Sequence, residues 1–169
     1  MAFDPARVPD AEAAFEALGL HLGFAAERPD KVYGTGPDDL WSVRDDLQLL
    51  IELKTGVTRA DLRIKKTELD QLSGHVSWHR ANYNAHDASI PVLVHPESTY
   101  LIEGTPPPGT RILTPAGVED LKTRVKAFAD AVSVADGWKS SQRVQELLTQ
   151  HYLTGRDALL RSTIAPTSV

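Results

Sequence analysis

Two short apolar runs joined by a charged turn constrain the fold more than any other feature of the sequence. Residues 39–43 read DLWSV and residues 47–54 read LQLLIELK, with Arg44, Asp45 and Asp46 between them. Short apolar runs on either side of turn-forming residues predict a β-hairpin. Apart from Gln48 and Glu52, the second run is apolar up to its last residue, which indicates a central, buried strand.

The rest of the chain alternates between helical and extended patterns. Four stretches have the periodicity of amphipathic helices: residues 10–22, with Asp10 as the N-cap, 64–83, 118–132 and 142–160. Three apolar runs predict further strands: residues 90–96, 99–104 and 110–114. Residues 23–39 are rich in Gly and Pro and are predicted to be loop or short extended pieces. This order predicts an α/β fold in which a mixed central β-sheet is flanked by helices.

Composition bounds the class of protein. Of the 169 residues, 41% are hydrophobic and 24% are charged, a mix typical of a soluble globular protein. No linker or repeat interrupts the pattern, so residues 1–160 are predicted to form one domain and residues 161–169 a flexible tail. The N-terminus lacks the pattern of a secretion signal, no stretch is apolar enough to cross a bilayer, and cysteine is absent. We therefore expect a cytoplasmic protein that does not contact a membrane.

Charge and cysteine content limit the chemistry. The formal net charge of -5 argues against a protein that coats nucleic acid non-specifically, because that function depends on an excess of Lys and Arg. Without cysteine there is no thiolate ligand, so any metal ion would be held by oxygen or imidazole. Carboxylates that hold a metal ion also make the charge balance acidic.

The predicted hairpin brings two carboxylates together. Counting back from the turn gives three antiparallel pairs: Val43 with Leu47, Leu40 with Leu50 and Asp38 with Glu52. Directly opposite Cβ atoms lie roughly 4.5–5.5 Å apart, and like charges at that distance repel unless a cation lies between them. Lys54 follows Glu52 on the same face of the strand and can reach the same space. Asp38, Glu52 and Lys54 are therefore candidate site residues.

The alternative is that these residues have only a structural role. Glu-x-Lys is a short pattern that often forms an exposed salt bridge of little energetic value. The apolar residues around Glu52 favour the functional reading, because a buried Glu and Lys without a role are costly. Asp39 could exchange roles with Asp38, although alternation along the strand favours Asp38.

Three segments together resemble a known family: GTGPDDLW, LLIELKTG and IKKTELDQLSGHVSWHRANY. They resemble the PD-(D/E)XK, or restriction-endonuclease-like, nuclease superfamily, and in particular nuclease domains associated with bacterial DEAD/DEAH-type helicases. The resemblance implies a restriction-endonuclease-like fold and catalysis by Asp38, Glu52 and Lys54. It further implies that Gln71 belongs to the site and that Glu16, with Glu12 in reserve, completes a metal site with Asp38 and Glu52.

The activity that the resemblance implies is hydrolysis of phosphodiester bonds by a metal-dependent endonuclease. Mg²⁺ or Mn²⁺ is the expected cofactor, since ligation by oxygen alone selects hard cations. DNA is favoured over RNA as the nucleic-acid substrate. The alternative is a catalytically lapsed nucleic-acid-binding or partner-docking module of a helicase-like defence or repair complex. A helicase-like protein partner required for cutting and a homodimer are further possibilities that the sequence leaves open.

Residues around the start of the second predicted helix form a basic stripe: Arg59, Arg63, Lys65 and Lys66. Cations near such a site are predicted to contact a nucleic-acid backbone, although a solvated helix start has the same composition. His75 and His79 are expected at the surface or behind the site, without a ligand role. The three Trp residues, Trp41, Trp78 and Trp138, are expected in the core rather than as stacking platforms for bases.

Overall fold

A computed structural model describes residues 3–83 and 88–169 of the chain. Its α-helices are α1 (Val8–His21), α2 (Pro29–Tyr33), α3 (Lys66–Asn82), α4 (Pro115–Ser133), α5 (Ser141–Gln150) and α6 (Asp157–Leu160). Its strands are β1 (Ala25–Glu27), β2 (Asp39–Arg44), β3 (Leu47–Leu53), β4 (Ala88–Val94), β5 (Thr99–Tyr100), β6 (Arg111–Leu113) and β7 (Thr167–Ser168).

The main sheet has five strands in the order β1-β2-β3-β4-β6. The pairs β1/β2 and β2/β3 are antiparallel, whereas β3/β4 and β4/β6 are parallel. Helix α3 makes the crossover from β3 to β4, as a parallel connection requires. The fold is therefore mixed α/β with a central mixed sheet flanked by helices, as the sequence predicted.

The predicted hairpin is confirmed, with one correction near its turn. Leu40 pairs with Leu50, as counted from the sequence. The predicted pairing of Val43 with Leu47 is wrong, because Arg44 stands opposite Leu47 and the pairing shifts between Ser42 and Arg44. An extra residue on one strand forms a β-bulge and changes the count on its turn side only.

The sheet separates two apolar layers. On one face, α1 and α4 pack against β2 and β3 through a core that includes Phe15, Trp41, Leu49 and Val118. On the other face, α3 covers the sheet through two smaller groups of buried side chains: Leu69, Leu72, Leu93, Ile64 and Ile112, and Leu40, Leu50 and Val76. Strand β3 is buried along its whole length, which agrees with its predicted central place.

Three local predictions differ from the structure. Helix α1 begins at Val8 with proline in its first turn, so Asp10 is not the N-cap but lies in the first turn, where it accepts a hydrogen bond from Arg7. The Gly- and Pro-rich residues 23–39 contain the short strand β1, as the predicted extended pieces allow, but also the helix α2, which was not predicted. The single helix predicted over 142–160 is two helices, because the chain between α5 and α6 takes positive φ at Tyr152 and Gly155.

None of the helices in the described ranges combines the length and the apolar character that crossing a membrane requires. The last residues, predicted as a flexible tail, are tied to the body by backbone hydrogen bonds. Ile112 and Ile164 exchange two bonds of 2.8 and 3.0 Å, and β7 pairs with β5 in a two-stranded sheet. The side chain of Arg111 also donates to the Thr163 carbonyl at 2.7 Å.

Candidate active site

The end of the hairpin remote from its turn brings Asp38 and Glu52 onto one face of the sheet. Asp39 pairs with Ile51, so the next step along the two strands sets Asp38 opposite Glu52. The backbone N–H of Leu53 donates to Asp38 Oδ2 at 2.7 Å, which fixes the carboxylate against β3. The face that carries both carboxylates is the one that α3 covers.

Glu52 is the buried centre of the site, with a residue exposure of 1%. Lys54 Nζ lies 2.8 Å from Glu52 Oε1 and also donates to Gln71 Oε1 at 2.8 Å. His75 Nε2 lies 3.0 Å from Glu52 Oε2. The structure thus brings together Asp38, Glu52, Lys54 and Gln71, all predicted from the sequence.

The two carboxylates have opposite protonation tendencies. Burial, and then the charge of Glu52, raise the pKa of Asp38 to about 7. Burial alone would also raise the pKa of Glu52, but contacts with His75 and Lys54 outweigh it and lower that pKa. Glu52 therefore stays ionised, while Asp38 titrates close to neutrality.

Asp39 lies on the other face of the hairpin and cannot replace Asp38 at this site. Its side chain is fully buried, and neither of its oxygens has a hydrogen-bond partner among the described residues. Burial raises the pKa of Asp39 to about 9, against a smaller opposing effect of Arg28. Alternation along the strand thus distinguished two adjacent aspartates.

Helix α1 does not bring Glu16 into the cluster as the resemblance implied. The charge of Glu16 acts on Asp39, whereas that of Glu12 acts on Asp38. Glu12 itself is held by Arg28 through a hydrogen bond between their side chains. Of the two α1 carboxylates, Glu12 is thus the one on the Asp38 side, and it already has a cationic partner.

The donor set supports a two-carboxylate metal site rather than a complete cage. Across residues 3–83 and 88–169, no group of three or more His, Asp or Glu side chains is arranged to hold a metal ion. Within that part of the chain, however, Glu52 Oε2 is buried and lacks a hydrogen bond of suitable geometry. Two facing carboxylates, one of them with a raised pKa, offer oxygen ligands of the kind that a hard divalent cation prefers, with water or substrate as the remaining ligands.

The predicted basic stripe is largely neutralised by carboxylates. Arg59 donates to both oxygens of Glu68, at 3.0 and 2.8 Å. Two further ion pairs complete the pattern: Arg63 with Asp61, and Lys66 with Asp70. Four residues were predicted to contact phosphate. Three of them, Arg59, Arg63 and Lys66, would each have to release a carboxylate before binding a phosphate.

His75 was predicted at the surface or behind the site, and the structure places it in direct contact with Glu52. Gln71 and His75 are four residues apart on α3, so their side chains lie on the same face of the helix and both reach the Glu52–Lys54 pair. This spacing was visible in the sequence. The sequence alone did not show that this face of α3 lies against Glu52, because that depends on how α3 packs over the hairpin.

Two cavities differ in their relation to the site. One of about 370 Å³ opens at the surface beside Lys54 and is lined also by Leu53, Arg59 and Glu68. Another of about 500 Å³, lined mainly by apolar residues of α1 and α4, lies on the opposite face of the sheet. Of these two, only the first has residues predicted for the site in its lining, namely Lys54 and Arg59.

Comparisons of the chain with models of protein families, with curated proteins and with solved structures found no match.

Proposed function

We propose that this chain is a metal-dependent nuclease that hydrolyses phosphodiester bonds, in DNA rather than RNA, through Asp38, Glu52 and Lys54. The observation that carries the proposal is the placement of Asp38 opposite a buried Glu52 whose carboxylate also binds Lys54. The mixed sheet and the three segments quoted above support membership of the PD-(D/E)XK, restriction-endonuclease-like superfamily.

Asp38 and Glu52 are the residues that would hold Mg²⁺ or Mn²⁺. When bound, such an ion polarises a phosphodiester and lowers the pKa of a coordinated water molecule. Neighbouring residues set the protonation states of the two carboxylates. Contacts with His75 and Lys54 keep Glu52 ionised, and a bound cation would favour the ionised form of Asp38 because it offsets the charge of Glu52.

Lys54 is the residue placed to stabilise developing negative charge. Its side chain is 23% exposed, binds the buried carboxylate and also lines the cavity at the surface. Gln71 accepts one of its hydrogen bonds and so limits the directions in which the ammonium can turn. A fixed donor aimed at the reacting phosphate lowers the barrier more than a mobile one.

The proposal is tested by incubating the purified chain with closed circular plasmid, single-stranded DNA and RNA, each with Mg²⁺, Mn²⁺ or EDTA. We expect cutting of DNA with either metal and none with EDTA, and nicking of the closed plasmid identifies endonuclease activity. Lys54→Ala should lower the rate by at least about 100-fold, the range found when a charge-stabilising donor is removed.

Lys126→Ala is the matched control, because Lys126 forms an exposed ion pair with Asp130 on α4, on the opposite side of the sheet. It should cut as the wild type does. If the wild type binds nucleic acid but cuts none of the substrates, the nuclease proposal fails and the lapsed binding module replaces it. Equal cutting by Lys54→Ala and wild type would remove Lys54 from the mechanism.

A further inference from the structure

Two aromatic rings lie together beside the candidate site. Tyr33 ends α2 and Trp78 belongs to α3, and their ring centroids are 6.5 Å apart with 35° between the planes. Tyr33 is 60% exposed, whereas Trp78 is only partly exposed and has Tyr83 at its edge, 5.8 Å away. The Tyr33 ring is therefore exposed for contact with a ligand, and the Trp78 ring is held in place by its contact with Tyr83.

The position of Trp78 is fixed relative to the site from two directions. It follows His75 by three residues on α3, so both side chains lie on the same face of the helix. On the other side, a Cβ added at Gly36 would lie 3.1 Å from the indole, so the backbone two residues before Asp38 runs against this ring. Gly36 has φ of 102°, which favours glycine and permits this close approach.

We propose that Tyr33 and Trp78 form a stacking platform for an unpaired base, and that the substrate is consequently single-stranded nucleic acid. This inference rests on the proposed nuclease function and names the substrate class of the same site. Aromatic side chains bind successive bases of single strands through their π-faces, with little dependence on sequence. The bases of a duplex are stacked on each other and do not offer a free face to such a ring.

The charges near the site favour binding through base stacking over binding through the phosphates of a duplex. Duplex binding without base contacts relies on cations that neutralise phosphates. Here three of the four cations predicted for that role are bound to carboxylates of the same chain. An exposed aromatic group adds affinity without needing a free cation.

The inference is tested by the fluorescence anisotropy of a labelled thymidine oligonucleotide and of a duplex of equal length, titrated with the full chain. Both titrations are made in EDTA and repeated with Ca²⁺. We expect the single strand to bind more tightly than the duplex. Tyr33→Ala should weaken binding of the single strand at least about fivefold, the loss expected for one base–aromatic stack. Tyr33→Phe keeps the ring and should bind within about twofold of the wild type.

Trp138→Ala is the matched control, since Trp138 is 61% exposed but lies in the 3-10 helix Val134–Lys139, between α4 and α5. Its affinity for the single strand should equal that of the wild type. Three results would overturn the inference: unchanged binding by Tyr33→Ala, preference for the duplex, or no binding of either probe, which would assign the rings to a protein contact. Because binding is read without turnover, absent cutting in the plasmid assay would defeat the nuclease proposal while leaving this test intact.

Discussion

Two groups of charged side chains near the start of α3 differ in how well their charges are satisfied. At the first, Glu68 accepts from Arg59 with both oxygens and from the backbone N–H of Lys65 at 2.7 Å, and His95 lies 3.7 Å away. Burial opposes ionisation of Glu68, but these partners outweigh it and lower its pKa to about 2. This group, which we call the Glu68 cluster, stabilises its own charge.

The candidate site has the opposite character. Asp38 faces the carboxylate of Glu52, and burial together with the charge of Glu52 raises the pKa of Asp38 to about 7. Apposed buried carboxylates cost stability, so a chain retains them where a bound cation or a reaction uses them. The Glu68 cluster therefore stabilises the fold, whereas the Asp38–Glu52 pair is the site on which the proposed function depends.

The largest expected effect comes from Asp38→Asn. The variant keeps the shape of the side chain but removes the charge that faces Glu52, so hydrolysis should fall at least about 100-fold. The free energy of unfolding in EDTA should rise by about 1 kcal/mol, because the repulsion between the carboxylates is lost. Plasmid-cutting rates and urea denaturation measure the two changes. A loss of stability in this variant would mean that the pair is structural and would break the comparison.

Glu68→Gln should give the reverse result. Removing the charge weakens its bonds with Arg59 and with the backbone of Lys65, so the free energy of unfolding at pH 7 should fall by about 2 kcal/mol. The rate of hydrolysis by the folded variant should stay close to that of the wild type. Urea denaturation and the same cutting assay test this. If cutting falls as steeply as it does in Asp38→Asn, the Glu68 cluster belongs to the active site.

The contribution of Glu68 to the free energy of unfolding should depend on pH. The folded chain lowers the pKa of Glu68 from 4.5 to about 2, so its ionised form stabilises the fold above about pH 4.5. That stabilisation is lost as the pH falls from about 4.5 to about 2. The difference in unfolding free energy between wild type and Glu68→Gln should therefore shrink over this interval. A constant difference would show that the variant acts through packing rather than charge.

Much of the site was predictable because strand geometry fixes side-chain direction. Alternation and counting from the turn placed Asp38 opposite Glu52 and put Asp39 on the other face. The pairing of Val43 was wrong because a bulge depends on local backbone conformation, to which the pattern of apolar residues is insensitive. The bulge changes the pairing only near the turn, so Asp38 still lies opposite Glu52.

What the sequence could not supply was the set of partners around each charge. Arg59 was predicted to contact phosphate, yet it reaches Glu68 because the chain between β3 and α3 folds back over the start of the helix. His75 reaches Glu52 only because α3 crosses that end of the hairpin. Such contacts depend on how elements pack, whereas periodicity reports only which residues share a face.

The smallest expected effect concerns Lys66, whose role separates phosphate binding from local ion pairing. Lys66 and Asp70 form an i,i+4 pair, and both side chains are 55% exposed. Lys66→Ala should change the unfolding free energy by less than about 0.5 kcal/mol, as is typical of exposed pairs. It should also leave the affinity for single-stranded DNA and its salt dependence unchanged, as measured by anisotropy over a range of salt concentrations. Asp70→Asn releases the same lysine and should therefore strengthen binding slightly. If Lys66→Ala instead reduces the salt slope by about one, Lys66 contacts a phosphate despite its partner, and the basic stripe contributes to binding as the sequence predicted.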